Sequence, residues 1–179
     1  MADFVFKIFP NIILGPYTMA RVGQVAATWG TNYMLVADPI LKEFGLIEKA
    51  VAALEEKGIS VFLFDDIPSA ATSTTLEEAL SLARGAHVHG IISFGGQKTA
   101  SLGRALASLY NENHEVFEYL GGAQPYSGAL PFIEVPSTCR DPFVFMDRTP
   151  VIDARNRQIR LMKTQAAVCK AVIIDPNLY

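Results

Sequence analysis

The stretch Gly90-Ile91-Ile92-Ser93-Phe94-Gly95-Gly96-Gln97-Lys98-Thr99-Ala100 joins a β-branched apolar run to a helical pattern through two adjacent glycines. A helix that starts there turns free backbone N–H groups and the positive end of its dipole toward one point. Glycine lets an anion approach that backbone closely. The chemistry this predicts is phosphate binding, with Gly95 and Gly96 as the cradle and Lys98 as a neutralising cation. A tight turn without a ligand, followed by a solvated lysine, is the plainer reading. Two further positions carry useful groups at the ends of predicted strands. Asp38 follows Tyr33-Met34-Leu35-Val36-Ala37, and its carboxylate either accepts hydrogen bonds from both hydroxyls of a ribose or caps the helix begun by Pro39. Ser137 and Thr138 close Leu130-Pro131-Phe132-Ile133-Glu134-Val135-Pro136 with hydroxyls that suit either a ligand or a turn.

Other candidates have a simpler account. His87 and His89 are two apart on the approach to a strand, the spacing of a partial zinc site, but no third ligand accompanies them. They read as a solvated strand start. Cys139 follows Thr138 and reads as a small near-buried residue, since a nucleophilic cysteine needs a partner histidine that sequence does not place. His114 and Tyr126 fall in a polar loop.

Elements of alternating type must position these residues. Strands are predicted at Phe4 to Phe9, Tyr33 to Ala37, Val61 to Phe64, Val88 to Phe94, Leu130 to Val135 and Ala171 to Ile174. Helical spacing runs from Tyr17 to Trp29, from Pro39 to about Lys57, from Thr75 to about Arg84, and onward from the glycine pair. Thr75-Leu76-Glu77-Glu78 fits a capping box. Residues 111–128 read as loop with a short helix. Val144-Phe145-Met146 and the flanks of Ala154-Arg155-Asn156-Arg157 read as strands joined by a hairpin. Helices alternating with near-continuous apolar strands predict an α/β fold: a Rossmann-like, mostly parallel sheet flanked by helices, with a β-hairpin appendage. Ligands of such sheets sit beyond the carboxyl ends of the strands, where Asp38, Gly95-Gly96 and Ser137-Thr138 all fall.

The bulk numbers set limits. The chain has 179 residues, half of them apolar and 18% charged, which predicts one globular domain over residues 1–179. A net charge of −3 without a basic cluster argues against nucleic acid as partner. No apolar run reaches the length of a membrane span, and Met1-Ala2-Asp3-Phe4-Val5-Phe6-Lys7 lacks the layout of a signal peptide. Two cysteines without metal-ligand spacing point to a reducing compartment. The expectation is a soluble, cytoplasmic protein.

Taken in order, these segments resemble the N-terminal, nucleotide-binding half of the iron-containing (group III) alcohol dehydrogenase family, whose relatives include glycerol dehydrogenase and dehydroquinate synthase. Pro10-Asn11-Ile12-Ile13-Leu14-Gly15-Pro16 is similar to the family's entry into its first helix. Leu35-Val36-Ala37-Asp38 with Gly45-Leu46 resembles its strand ending in aspartate. Phe64-Asp65-Asp66-Ile67-Pro68 resembles the next strand end. Gly95 to Arg104 lies where the family carries GGGSxxDxAK, and Pro131 to Thr138 resembles its P-x-I-x-x-P-T-T segment.

The resemblance implies a nicotinamide dinucleotide cofactor, NAD in preference to NADP, held by Asp38, Gly95, Gly96, Gln97, Lys98, Ser137 and Thr138. Arg160 is the match to a basic hairpin residue that faces the cofactor in many members. It also implies an oxidoreductase acting on a CH–OH group. The family's catalytic iron or zinc is bound by one aspartate and three histidines of a C-terminal helical domain that this chain does not carry, so the chain alone is expected to be inactive. Self-association, or pairing with a metal-binding second domain or chain, follows as an expectation. Departures are specific: Gln97 for the third glycine, Lys98 for serine, Ser101 for aspartate, Arg104 for lysine, and Cys139-Arg140-Asp141-Pro142-Phe143 where small residues are usual. Gln97, Lys98, Arg140 and Phe143 add bulk where cofactor would lie. The alternative these departures favour is a free-standing, non-catalytic nucleotide-binding or protein-interaction module.

Overall fold

Apolar runs bounded by turn residues become parallel strands because both of their faces are covered. A computed structural model describes residues 9–68 and 70–179. Its strands are β1 (Asn11–Leu14), β2 (Asn32–Ala37), β3 (Ser60–Phe64), β4 (Gly90–Gly95), β5 (Phe132–Pro136), β6 (Arg148–Asp153), β7 (Gln158–Lys163) and β8 (Cys169–Ile174). Six of these form one sheet in the order β1-β8-β5-β4-β2-β3, every described pair parallel, while β6 and β7 form a separate antiparallel hairpin. The helices are α1 (Val22–Ala26), α2 (Ile40–Glu43), α3 (Leu46–Glu55), α4 (Ser73–Gly85), α5 (Gln97–Leu109) and α6 (Val116–Leu120), with short 3-10 turns at Thr18–Arg21 and Pro176–Leu178.

Alternate strand residues feed two cores. Met34, Val36, Ile91, Phe132 and Val172 pack with α4, α5, α6 and the hairpin. Tyr33, Leu35, Ala37, Ile92, Phe94, Ile133 and Ile173 pack on the other face with α1 and α3. The chain leaves β2 toward one edge of the sheet, to β3, and then builds β4, β5 and β8 on the other side of β2. The crevice between the carboxyl ends of β2 and β4 is therefore the switch point of the sheet, and α3 and α5 diverge from it to opposite faces.

Several boundaries differ from the sequence expectation. The strand expected at Phe4 to Phe9 lies outside the described residues apart from Phe9. Asn11–Leu14, expected to lead into a helix, pairs instead with Ala171 to Ile174 as an edge strand. The helix expected from Pro39 to Lys57 breaks at Gly45, whose φ of +65° turns the chain between α2 and α3. The capping box at Thr75 is not used. Thr72 caps α4, its hydroxyl accepting from Thr75 N at 3.2 Å. Val144 to Met146 forms a turn, and the hairpin's first strand starts later, at Arg148.

Candidate functional site at the sheet switch point

Backbone hydrogen bonds bind the three strand ends into one wall. Asp38 N donates to Phe94 O at 2.9 Å, and Ser137 N donates to Gly95 O at 2.9 Å. Gly95 must be glycine: a Cβ there would stand 2.7 Å from Thr99 Oγ1 and 2.8 Å from Asp38 Cβ. Gly96 precedes α5 in extended conformation and supplies no side-chain cap, so the first-turn N–H groups of the helix face the crevice. The Thr99 hydroxyl donates to Gly96 O at 2.7 Å and steadies the turn. Thr138 stands across from Gly96, its methyl carbon 3.7 Å from where a Gly96 Cβ would be. Lys98 reaches back over the junction to Asp38, Nζ 3.4 Å from Oδ1. Asp38, Gly95, Gly96, Lys98, Ser137 and Thr138 are thus gathered at one place.

Gln97 and Lys98 also line a cavity of about 230 Å³ toward the hairpin, with Ala71, Ser101, Ile152 and Ile159. Arg160 is not part of that lining. It pairs with Val151 on the opposite face of the hairpin, and its charge acts on Asp153. The hairpin residues that reach the Gln97 side are Pro150, Ile152 and Ile159. His89 Nδ1 accepts from Thr31 N at 3.1 Å, a structural role. Cys139 is exposed and Cys169 is buried, and both are unpaired. No group of three His, Cys, Asp or Glu side chains among the described residues is arranged to hold a metal ion.

Sequence reasoning missed what lies beneath the junction. Arg104, on the buried side of α5, bonds through Nη2 to Glu134 Oε2 at 2.8 Å and to Asp141 Oδ2 at 3.0 Å. Asp141 Oδ1 in turn accepts from Phe143 N at 2.8 Å. Arg104 and Glu134 are each only 1% exposed. Burial pushes the Glu134 carboxyl up to about 8; the Arg104 charge opposes that shift and the Asp141 charge adds to it. This cluster fastens the loop after Thr138 to the helix that begins at the glycine pair. A lone carboxylate in an apolar strand and a lone cation on an apolar helix stripe were its signal.

The family model for iron-containing alcohol dehydrogenase matches residues 10–176. The chain belongs to the iron-containing alcohol dehydrogenase family. Alcohol dehydrogenase 4 of Schizosaccharomyces pombe is 25% identical over 138 residues, covering 77% of this chain and 32% of the relative. The 1,3-propanediol dehydrogenase of Citrobacter freundii is 25% identical over 135 residues, covering 73% of this chain and 35% of the relative. The chain therefore spans about a third of the length of these curated relatives. Among solved structures, a 1,3-propanediol oxidoreductase superposes with a TM-score of 0.88 at 20% identity, over 99% of this chain and 47% of its own. The sulfoacetaldehyde reductase of Bifidobacterium kashiwanohense, solved in complex with NAD+, superposes with a TM-score of 0.87 at 16% identity, covering 99% of this chain and 47% of that one. These likenesses establish the Rossmann-like fold.

Proposed function

We propose that the crevice between β2, β4 and β5 holds the nicotinamide dinucleotide of an iron-containing-type alcohol dehydrogenase reaction, an oxidoreduction at a CH–OH group. The observation that carries this reading is the convergence of a carboxylate, an uncapped helix N-terminus with a glycine pair, and a threonine at the switch point of a parallel sheet. Asp38 takes the hydroxyls of the adenosine ribose. The N–H groups at the start of α5 take the pyrophosphate, Gln97 and Lys98 flank it, and Ser137 and Thr138 form the opposite wall. When bound, the nicotinamide supplies the hydride acceptor, and the residues of this chain bind and orient it. Arg160 is left out because the cavity beside Gln97 and Lys98 is lined from β7 by Ile159 and not by Arg160.

The family metal finds no fitting ligand set among the described residues, so no step is routed through it. A second reading, in which this chain is a non-catalytic nucleotide-binding or protein-interaction module, is favoured by the bulk of Gln97 and Lys98 at the start of α5. Alcohol-dependent NADH formation by this chain with added Fe(II) or Zn(II) is expected to be absent, and turnover under those conditions would overturn the expectation. A cytoplasmic setting is part of the proposal and rests on the two unpaired cysteines. Calorimetric titration of the chain with NADH and NADPH tests the cofactor site directly. Saturable binding is expected, and Asp38→Ala should weaken NADH binding by about 1–3 kcal/mol through loss of a charged hydrogen-bond acceptor. Absence of heat at millimolar cofactor would overturn the reading, and an unchanged affinity in the variant would remove Asp38 from the site.

A further inference from the structure

Lys98 is the second residue of α5, at the positive end of a 13-residue helix. A cation is disfavoured there by the helix dipole. Its ammonium is instead drawn back to the end of β2, 3.4 Å from Asp38 Oδ1, in a pair whose side chains are 28% and 19% exposed. Asp38 alone would favour a cofactor with two free ribose hydroxyls, because its charge repels a 2′-phosphate. The pair changes that balance in two ways. It offsets the carboxylate charge at the point where the repulsion would act, and it places a mobile, three-donor cation within reach of the same ribose edge. Partial exposure leaves the ammonium free to exchange one anionic partner for another.

We propose that Lys98 is a specificity-determining residue, through which the crevice accepts a 2′-phosphorylated dinucleotide as readily as the unphosphorylated one. With NADP(H) bound, the Lys98 ammonium turns from Asp38 to the 2′-phosphate. With NAD(H) bound, Asp38 keeps the ribose hydroxyls and Lys98 remains its counter-ion. This inference rests on the crevice being the dinucleotide site.

The test is titration of the wild-type chain and Lys98→Ser with NADH, NADPH, ADP and 2′,5′-ADP, with thermal unfolding of the variant followed alongside. The fragments isolate the adenosine end of the site from anything the nicotinamide contributes. Wild type is expected to bind NADPH within tenfold of NADH. Lys98→Ser is expected to lower the NADPH-to-NADH affinity ratio, and the 2′,5′-ADP-to-ADP ratio, by at least tenfold, and Lys98→Arg to restore them. NADH binding with more than tenfold rejection of NADPH by wild type, or a smaller change of ratio in Lys98→Ser, overturns this proposal and leaves the site reading standing. Failure of every nucleotide to bind overturns both.

Discussion

Gly95 and Gly96 are neighbours in sequence with different physical duties. A methyl at Gly95 would collide with Thr99 Oγ1 and Asp38 Cβ, and the backbone there has φ +149°, a conformation that L side chains rarely adopt. Gly95→Ala should therefore destabilise the fold by about 1–3 kcal/mol, read as a lower urea midpoint with unchanged slope. At Gly96 φ is −88°, and a methyl would meet only Thr138 Cγ2 at an ordinary 3.7 Å. Gly96→Ala should leave the urea midpoint within about 1 kcal/mol of wild type, yet weaken NADH binding, because the methyl lies where the pyrophosphate would approach. Equal destabilisation by the two substitutions would show that the distinction is wrong. In sequence the glycines read as one motif. The clashes that separate them come from Asp38 and Thr99, and Asp38 follows a different strand, β2, brought close only by the sheet register.

At the scale of elements, the helix after the glycines was legible and its anchor was not. A strand–Gly-Gly–helix junction is a local pattern, so β4 and α5 follow from residues within one segment. The Arg104–Glu134–Asp141 cluster joins α5, β5 and the following loop across 37 residues of sequence. Nothing local distinguishes a buried ion cluster from a charged residue turned to solvent. The break at Gly45 and the cap at Thr72 are local by contrast: a positive-φ glycine and a hydroxyl three residues from the N–H it accepts from. The cluster has a thermodynamic signature. The folded state holds the Glu134 carboxyl up to about 8, whereas an unfolded glutamate titrates near about 4.3. Between those values the folded chain keeps a proton that the unfolded chain has released, so folding stability falls as pH rises, by at most about 1.4 kcal/mol per pH unit. Glu134→Gln keeps the shape and removes the titration. Urea midpoints measured from pH 5 to about 8 should decline for wild type and decline less steeply for Glu134→Gln. Parallel profiles would show that Glu134 is ionised in the fold. Arg104→Met is the harsher change, leaving the buried Glu134 carboxyl and the Asp141 carboxylate without the cation that bonds both, and should cost about 3–5 kcal/mol.

At the scale of the molecule, the order of strands creates the crevice and leaves one edge unfinished. The switch between β2 and β4 exists only because β3 is laid on one side of β2 and β4, β5 and β8 on the other. Alternation of strands and helices predicts the sheet but not which strand lies at its edge, and β1 was expected to be chain leading into a helix. As the edge strand beside β8, it exposes Ile12 and Leu14, and next to it Phe145 and Met146 are exposed as well. Ile12, Phe145 and Met146 border a groove of about 680 Å³ that also touches Val144 and Val168. Among the described residues β1 pairs with β8 alone, and an edge strand with apolar side chains is a template for association, because a second chain can satisfy backbone and side chains at once. The match to this chain covers only 32% of the Schizosaccharomyces pombe relative. Self-association of this chain is therefore expected to depend on concentration and to run through β1. Sedimentation velocity across a roughly hundredfold concentration range should show the weight-average mass rising. Leu14→Lys, which places a charge on the exposed edge without touching either core, should return the boundary to monomer. A single monomeric boundary for wild type at every concentration would contradict the expectation. Association that survives Leu14→Lys would move it to a surface other than the β1 edge.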